Sequence, residues 1–195
     1  MSTPTLTPDT TMAAVLEAIP GARRALFAQY HIGGCSSCAF DASETLSALC
    51  ARNGDIPVVE MIDHLQASRE NDLRLQISPT ELAARLRGNE AVRLVDLRTR
   101  EEHEAIAIPG SVLYTQDLQR EAFGSWDKDS LIVLYDHTGL RALDAAAYFA
   151  GHEFTQVRAL AGGIDRYSQE ADPALPRYRV EVEDGEIVAP GARIP

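Results

Sequence analysis

The run LIVLYDHTGLRAL limits what this chain can fold into more than any other segment. Leu131 to Tyr135 are five consecutive apolar or aromatic residues and read as a buried strand. Asp136, His137, Thr138, Gly139, Leu140 and Arg141 then form a six-residue loop, and a helix follows. The first turn of a helix leaves backbone N–H groups without intrahelical partners and so favours negative charge. Asp136 precedes that turn, where its carboxylate can accept such N–H bonds.

Other segments alternate in the same way. ISPTELAARLR, from Ile77 to Arg87, reads as a short strand and a capped helix. Ser78 is its N-cap, Pro79 takes the first helical position and Glu81 lies three residues after the cap. VRLVDLRTREEHEAIAIPGSV supplies a strand, the Asp96-x-Arg98 pair, the acidic pair Glu101 and Glu102, and Ile108-Pro109-Gly110 before a further strand. LAGGIDRY, from Leu160 to Tyr167, places a Gly-Gly turn between a strand and a helix. In this order the motifs resemble the rhodanese family, whose active-site loop has the pattern Cys-x-x-Gly-x-Arg between a central strand and a helix. Gly139 and Arg141 match that pattern and Asp136 occupies the cysteine's place.

The resemblance implies an α/β domain over residues 73–178, with a parallel sheet flanked by helices. Family members carry sulfur as a persulfide on the loop cysteine, which a carboxylate cannot do. It therefore implies a silent loop used for regulation or docking, set against a repurposed pocket in which Asp136 acts as base or ligand. His137 is expected to be exposed. Asp96 and Arg98 are expected to tie their strand to its neighbours, and Glu101 and Glu102 to favour a helix start. Trp126 is expected to anchor a surface loop, and Gly162 and Gly163 to serve backbone geometry.

A net charge of −11 argues against nucleic acid as a partner, because phosphate binding relies on Lys and Arg. No basic start with an apolar core follows Met1, and no apolar run is long enough to span a bilayer, so a soluble, cytoplasmic protein without membrane contact is expected. All three cysteines, Cys35, Cys38 and Cys50, fall within the first 50 residues. In a reducing compartment a Cys-x-x-Cys pair points to redox chemistry or a metal.

Residues 1–66 read as a small helical module. Met12, Val15, Leu16 and Ile19 share one helical face, Pro20-Gly21 interrupt, and Ala22 to Tyr30 form a second helix. Asp41 and Glu44 suggest a capping box for a third, with Leu46, Leu49 and Cys50 on one face and Asn53-Gly54 as its stop. Asp55 is a candidate cap for a fourth, in which Pro57 fits the first turn and Val58, Ile62 and Leu65 share a face. Thr11, Leu16, Pro20, Gly34, Cys35 and Cys38 match the pattern of a second family. It is the small helical domain associated with hybrid-cluster proteins and described as a redox-disulfide domain, which the module resembles. The polar stretch from Ala67 to Asp72 reads as a linker. Residues 179–195 read as a tail with a hairpin about Asp184-Gly185.

Cys35 and Cys38 have three readings. They are a redox or sulfur-relay dithiol, the i, i+3 spacing bringing the sulfurs together and a helix N-terminus lowering one thiol's pKa. They are half of a zinc or iron–sulfur site completed by Cys50 or His31. Or they are packing residues, which suits Cys50 in particular. The function expected is a catalytically silent rhodanese-like protein with a dithiol at Cys35 and Cys38 and a protein partner in redox or sulfur transfer. The alternatives are a sulfurtransferase using an N-terminal cysteine as persulfide carrier and a metal- or cluster-binding scaffold.

Overall fold

The computed structural model describes residues 5–33 and 39–178, together with the backbone of 181–183, 186–188 and 193–194. Gly34, Cys35 and Cys38 lie outside the described residues, as do Asp184 and Gly185. The chain forms two compact units, Met1–Arg74 and Leu75–Pro195. No described helix is long and apolar enough to cross a membrane.

The first unit holds α1 (Met12–Ala18), α2 (Ala22–Tyr30), α3 (Leu46–Arg52) and α4 (Val58–Arg74). Its core joins Met12, Val15 and Ile19 of the first helical turnings to Leu26, Leu46, Leu49, Met61 and Leu65, all fully buried. Cys50 packs among them, and burial pushes its thiol pKa up, as suits a small core hydrophobe. Thr11 caps α1 by accepting from Ala14 N–H, and the Pro20-Gly21 interruption falls between α1 and α2.

Three local expectations for this unit need correction. Thr45 caps α3, accepting from Ala48 N–H at 3.2 Å. Asp41 turns instead onto Ser43, and Glu44 pairs with Arg52 at 2.5 Å. Asp55 has a left-handed φ of 53° and precedes Pro57, so it lies too far before Val58 to cap α4. The proposed linker Ala67–Asp72 is helical throughout, being part of the 17-residue α4. That helix contains neither Pro nor Gly, so polarity there marks a solvated face rather than a break. Asp72 is buried, pairs with Arg24 and reaches so close to Gly21 that a Cβ at that position would displace it.

The second unit runs β1 (Gln76–Ile77), α5 (Pro79–Arg87), β2 (Val92–Asp96), α6 (Arg100–Ala105), β3 (Val112–Leu113), α7 (Gln116–Ser125), β4 (Leu131–Tyr135), α8 (Leu140–Gly151), β5 (Val157–Leu160) and α9 (Gly163–Glu170). Ser78 caps α5 through Glu81 N–H, with Pro79 in its first turn. The five strands form one parallel sheet in the order β1-β5-β4-β2-β3. Apolar side chains cover both faces, which is why β4 reads as a continuous apolar run. One core contains Ile132, Leu134, Ala146, Phe149 and Phe154; the other contains Leu82, Leu94, Val133, Tyr135 and Ile164. Trp126 belongs to the first of these cores and is only 8% exposed, with Arg93 over its ring and its indole N–H on Glu121. It is a core residue and not a surface-loop anchor. Downstream, β6 (Arg177–Tyr178) pairs antiparallel with β9 (Arg193–Ile194), and β7 (Glu181–Glu183) with β8 (Glu186–Val188).

Candidate functional site

In the order β1-β5-β4-β2-β3 the chain moves outward from β2 to β3, then returns to β4 and proceeds to β5 on the other side. The carboxyl ends of β2 and β4 therefore flank the point where the connections diverge, the usual place for a ligand crevice in an open α/β sheet. A cavity of about 240 Å³ opens there, lined by Arg98, Glu102, Asp136, His137, Thr138, Leu140 and Arg141.

The loop wraps around the Asp136 side chain. Its Oδ1 accepts from Gly139 N–H at 2.7 Å and from Ala142 N–H at 3.4 Å, and Oδ2 accepts from Arg141 N–H at 3.3 Å. Asp136 is thereby buried, while Thr138, Leu140 and Arg141 are exposed at the rim. Two glycines make the turn possible. Gly139 adopts φ 92°, and a Cβ there would lie 2.8 Å from Gly162 N and 2.9 Å from Leu160 O. Gly163 leaves room for the carbonyls of Asp136 and His137, which a Cβ would approach to 2.4 Å. Those carbonyls accept from Ile164 and Asp165 N–H, so the first turn of α9 closes the loop from below.

Behind the loop lies a continuous buried polar network. Asp96, at the end of β2, accepts from Arg98 Nε at 2.9 Å and Arg98 Nη2 at 2.6 Å. It also accepts from Tyr135 O–H at 2.8 Å and faces His103 Nδ1 at 2.9 Å. Arg98 extends the network to the Ile106 carbonyl and, through Nη1, to the Tyr178 hydroxyl, each within 2.7 Å. Tyr178 in turn donates to Glu102 Oε1 at 2.7 Å. Glu102 Oε2 accepts from Thr99 N–H while Thr99 accepts from Glu102 N–H, a reciprocal capping box on α6.

The electrostatics follow from this wiring. Burial alone would raise the Asp96 pKa, but the hydrogen bonds and charge of Arg98, with His103, outweigh it and hold the carboxyl below its ordinary range. Burial lowers the Arg98 pKa, yet Asp96 more than compensates and the guanidinium stays firmly protonated. Burial, then the Asp96 carboxylate, pushes the Tyr135 hydroxyl up. Tyr178 is raised chiefly by burial, with Arg98 opposing and Glu102 reinforcing.

The expected site residues thus divide. Asp136 to Arg141 come together with Arg98 and Glu102, whereas Cys35 and Cys38 lie outside the described residues. Asp96 and Arg98 tie β2 to its surroundings, as their motif suggested. His137 departs from expectation: it is half-buried, its ring 4.7 Å from that of Tyr178, and its Nδ1 is buried with no hydrogen-bond partner among the described residues. Tyr178, Tyr135 and His103 carry no local sequence signal for their places in this network. Among the described residues no group of three or more His, Cys, Asp and Glu side chains could hold a metal ion.

Comparison with known proteins finds a match to the rhodanese-like domain over residues 78–170. A curated sulfurtransferase from Allochromatium vinosum is 31% identical over 100 residues, 51% of this chain and 94% of the relative. A rhodanese-like domain protein from Staphylococcus aureus is 24% identical, with a TM-score of 0.43 over 49% of this chain and 93% of that one. The rhodanese-like domain of an Anabaena protein is 22% identical, with a TM-score of 0.46 over 59% of this chain and 92% of the other.

Proposed function

Since the chain belongs to the rhodanese-like family through residues 78–170, we propose that it has a sulfur-related role in which the Asp136 loop is catalytically silent and serves regulation or docking. In this reading the redox or sulfur-relay chemistry resides on Cys35 and Cys38 and is shared with a protein partner. The observation that carries it is the set of three N–H bonds received by the Asp136 carboxylate. In the family pattern those donors would serve a cysteine sulfur. Here the loop's own carboxylate uses them, and a carboxylate neither stores sulfane sulfur nor welcomes an anionic donor.

A second reading is a sulfurtransferase whose persulfide sits on Cys35 or Cys38, favoured by the relative named as a sulfurtransferase. A zinc or iron–sulfur centre at the same cysteines is a third, which metal analysis of protein purified without oxygen tests directly.

Sulfur transfer from thiosulfate to cyanide separates the first two. The silent reading expects no transfer from the native chain and no added sulfur at position 136 by intact-mass and peptide analysis. Activity lost in Cys35→Ser or Cys38→Ser would favour the second reading. Asp136→Cys should yield a thiol of lowered pKa, activated by the loop N–H groups, the start of α8 and Arg141. On exposure to thiosulfate the thiolate of that variant should attack the sulfane sulfur, break its bond to the sulfonate sulfur and release sulfite, so that the chain gains one sulfur even with slow turnover. A protonated, unreactive thiol at position 136 would show that the loop has lost its anion-binding shape.

A further inference from the structure

In the cavity above the Asp136 loop, Arg98 and three backbone N–H groups are committed within the protein, while its acceptors have capacity to spare. Arg98 uses four of its five N–H groups, on both Asp96 oxygens, Tyr178 and the Ile106 carbonyl. Its charge is already matched by Asp96. The loop N–H groups of Gly139, Arg141 and Ala142 point at Asp136. These donors are therefore already committed to groups of the protein itself.

Acceptor capacity is left over on three groups. An ionised carboxylate has about four lone-pair sites. Glu102 uses two of them, on neutral donors: the Tyr178 hydroxyl and Thr99 N–H. Asp136 receives one short bond and two long ones, all from neutral backbone N–H. The Nδ1 of His137 has no hydrogen-bond partner among the described residues and is an acceptor in the Nε2-protonated tautomer. Arg141, the cation at the rim, is solvent-exposed and screened. Leu140 beside it is half exposed and offers an apolar wall.

The geometry points to a cationic side chain, arginine or lysine, presented by a protein partner as the occupant of this cavity. The charged head meets Glu102 and Asp136, and the aliphatic stem runs along Leu140. Asp136 thereby adds a carboxylate acceptor to the crevice at the position where the family pattern has a sulfur nucleophile. This deepens, and rests on, the docking role proposed above.

The test is an amide-resolved NMR titration of the full chain with Nα-acetyl-arginine amide, Nα-acetyl-norleucine amide and sodium sulfate. The arginine probe should shift the Thr138 to Arg141 amides saturably, and the uncharged norleucine probe should bind at least about tenfold more weakly, the worth of one charge-assisted hydrogen bond. Sulfate should leave those amides unmoved. Glu102→Gln keeps the capping box, since Gln serves there as well as Glu, and should lower arginine affinity about tenfold. Arg141→Glu, an exposed change that spares the fold, should raise it about threefold. Equal binding of the two amides, saturable sulfate binding at the same amides, or no saturable arginine binding would each overturn the assignment. Sulfur transfer measured on the same samples reports separately on the silent loop, so the two ideas fail independently.

Discussion

Asp96 shows how far a single residue reaches in this fold. It has no exposed surface, and its two oxygens serve Arg98, Tyr135 and His103 at once. Asp96→Asn would leave the Arg98 guanidinium buried without its counter-charge, at a cost of about 3 kcal/mol in unfolding free energy. The pH dependence has a definite sign. The folded-state pKa lies below the unfolded one, so the contribution is complete above about pH 4 and is lost as pH falls through the folded value. Urea denaturation at pH 7 should show the loss in Asp96→Asn. A pH series below about 4 should show a shallower decline for the variant than for the native chain. Parallel curves would remove Asp96 from the acid response. The Asp-x-Arg spacing made this pair legible in the sequence. Tyr178 was not, because it meets Arg98 from 80 residues away and nothing local distinguishes it from any other tyrosine at a strand end. Glu102 was legible only as a helix-start acid; its bond to Tyr178, 76 residues on, was not.

At the scale of elements, periodicity and capping chemistry located α1, α2, α5 and β4 well, because each carries a local signal that tertiary packing does not override. Ser78 and the Pro20-Gly21 interruption act where the sequence places them. The failures are instructive in kind. Asp41 and Thr45 are both good caps by type, and the choice fell on Thr45 because helical geometry begins only at Leu46. Ala67 to Asp72 looked like a linker because its residues are polar, yet the segment continues α4 and ends with a buried Asp72 paired to Arg24 across the unit. An amphipathic helix whose exposed side is long and polar is easily mistaken for a break when judged on composition. Limited proteolysis tests the corrected reading. Trypsin should leave the Arg69–Glu70 bond intact under native conditions, since the helical backbone there cannot enter a protease site without local unfolding. Ala67→Pro, which removes a helical N–H and clashes with the preceding turn, should cost about 3 kcal/mol and make Arg69 an early cleavage site. Rapid cutting at Arg69 in the native chain would restore the linker.

For the whole molecule, the family match and the cysteines fall on different parts of the chain. The rhodanese-like match covers residues 78–170, while Cys35, Cys38 and Cys50 all lie within Met1–Arg74. The α/β unit was the more legible because its fold is written in several motifs at fixed order. The use of its loop was legible only as a substitution at one position, whose consequence depended on N–H directions that no sequence displays. On the proposed silent reading of position 136, sulfur chemistry is assigned to thiols of the first unit. The three are not equivalent. Cys50 is 2% exposed among Leu46, Leu49 and Met61, and burial raises its pKa, which keeps it protonated and poorly nucleophilic at neutral pH. Cys35 and Cys38 share the i, i+3 spacing of a dithiol, and closing it to a disulfide transfers two electrons and two protons to the oxidant. Under mild oxidation the free thiols of the folded chain should therefore fall from the three in the sequence to a single survivor. Peptide mapping should identify that survivor as Cys50, and a reductant should restore the other two. Unfolding in denaturant should then make Cys50 as reactive as an ordinary thiol, since its protection comes from packing alone. A disulfide containing Cys50, or a Cys38 that stays unreactive while the chain is folded, would refute the redox pair and leave the first unit a packing or metal-binding module.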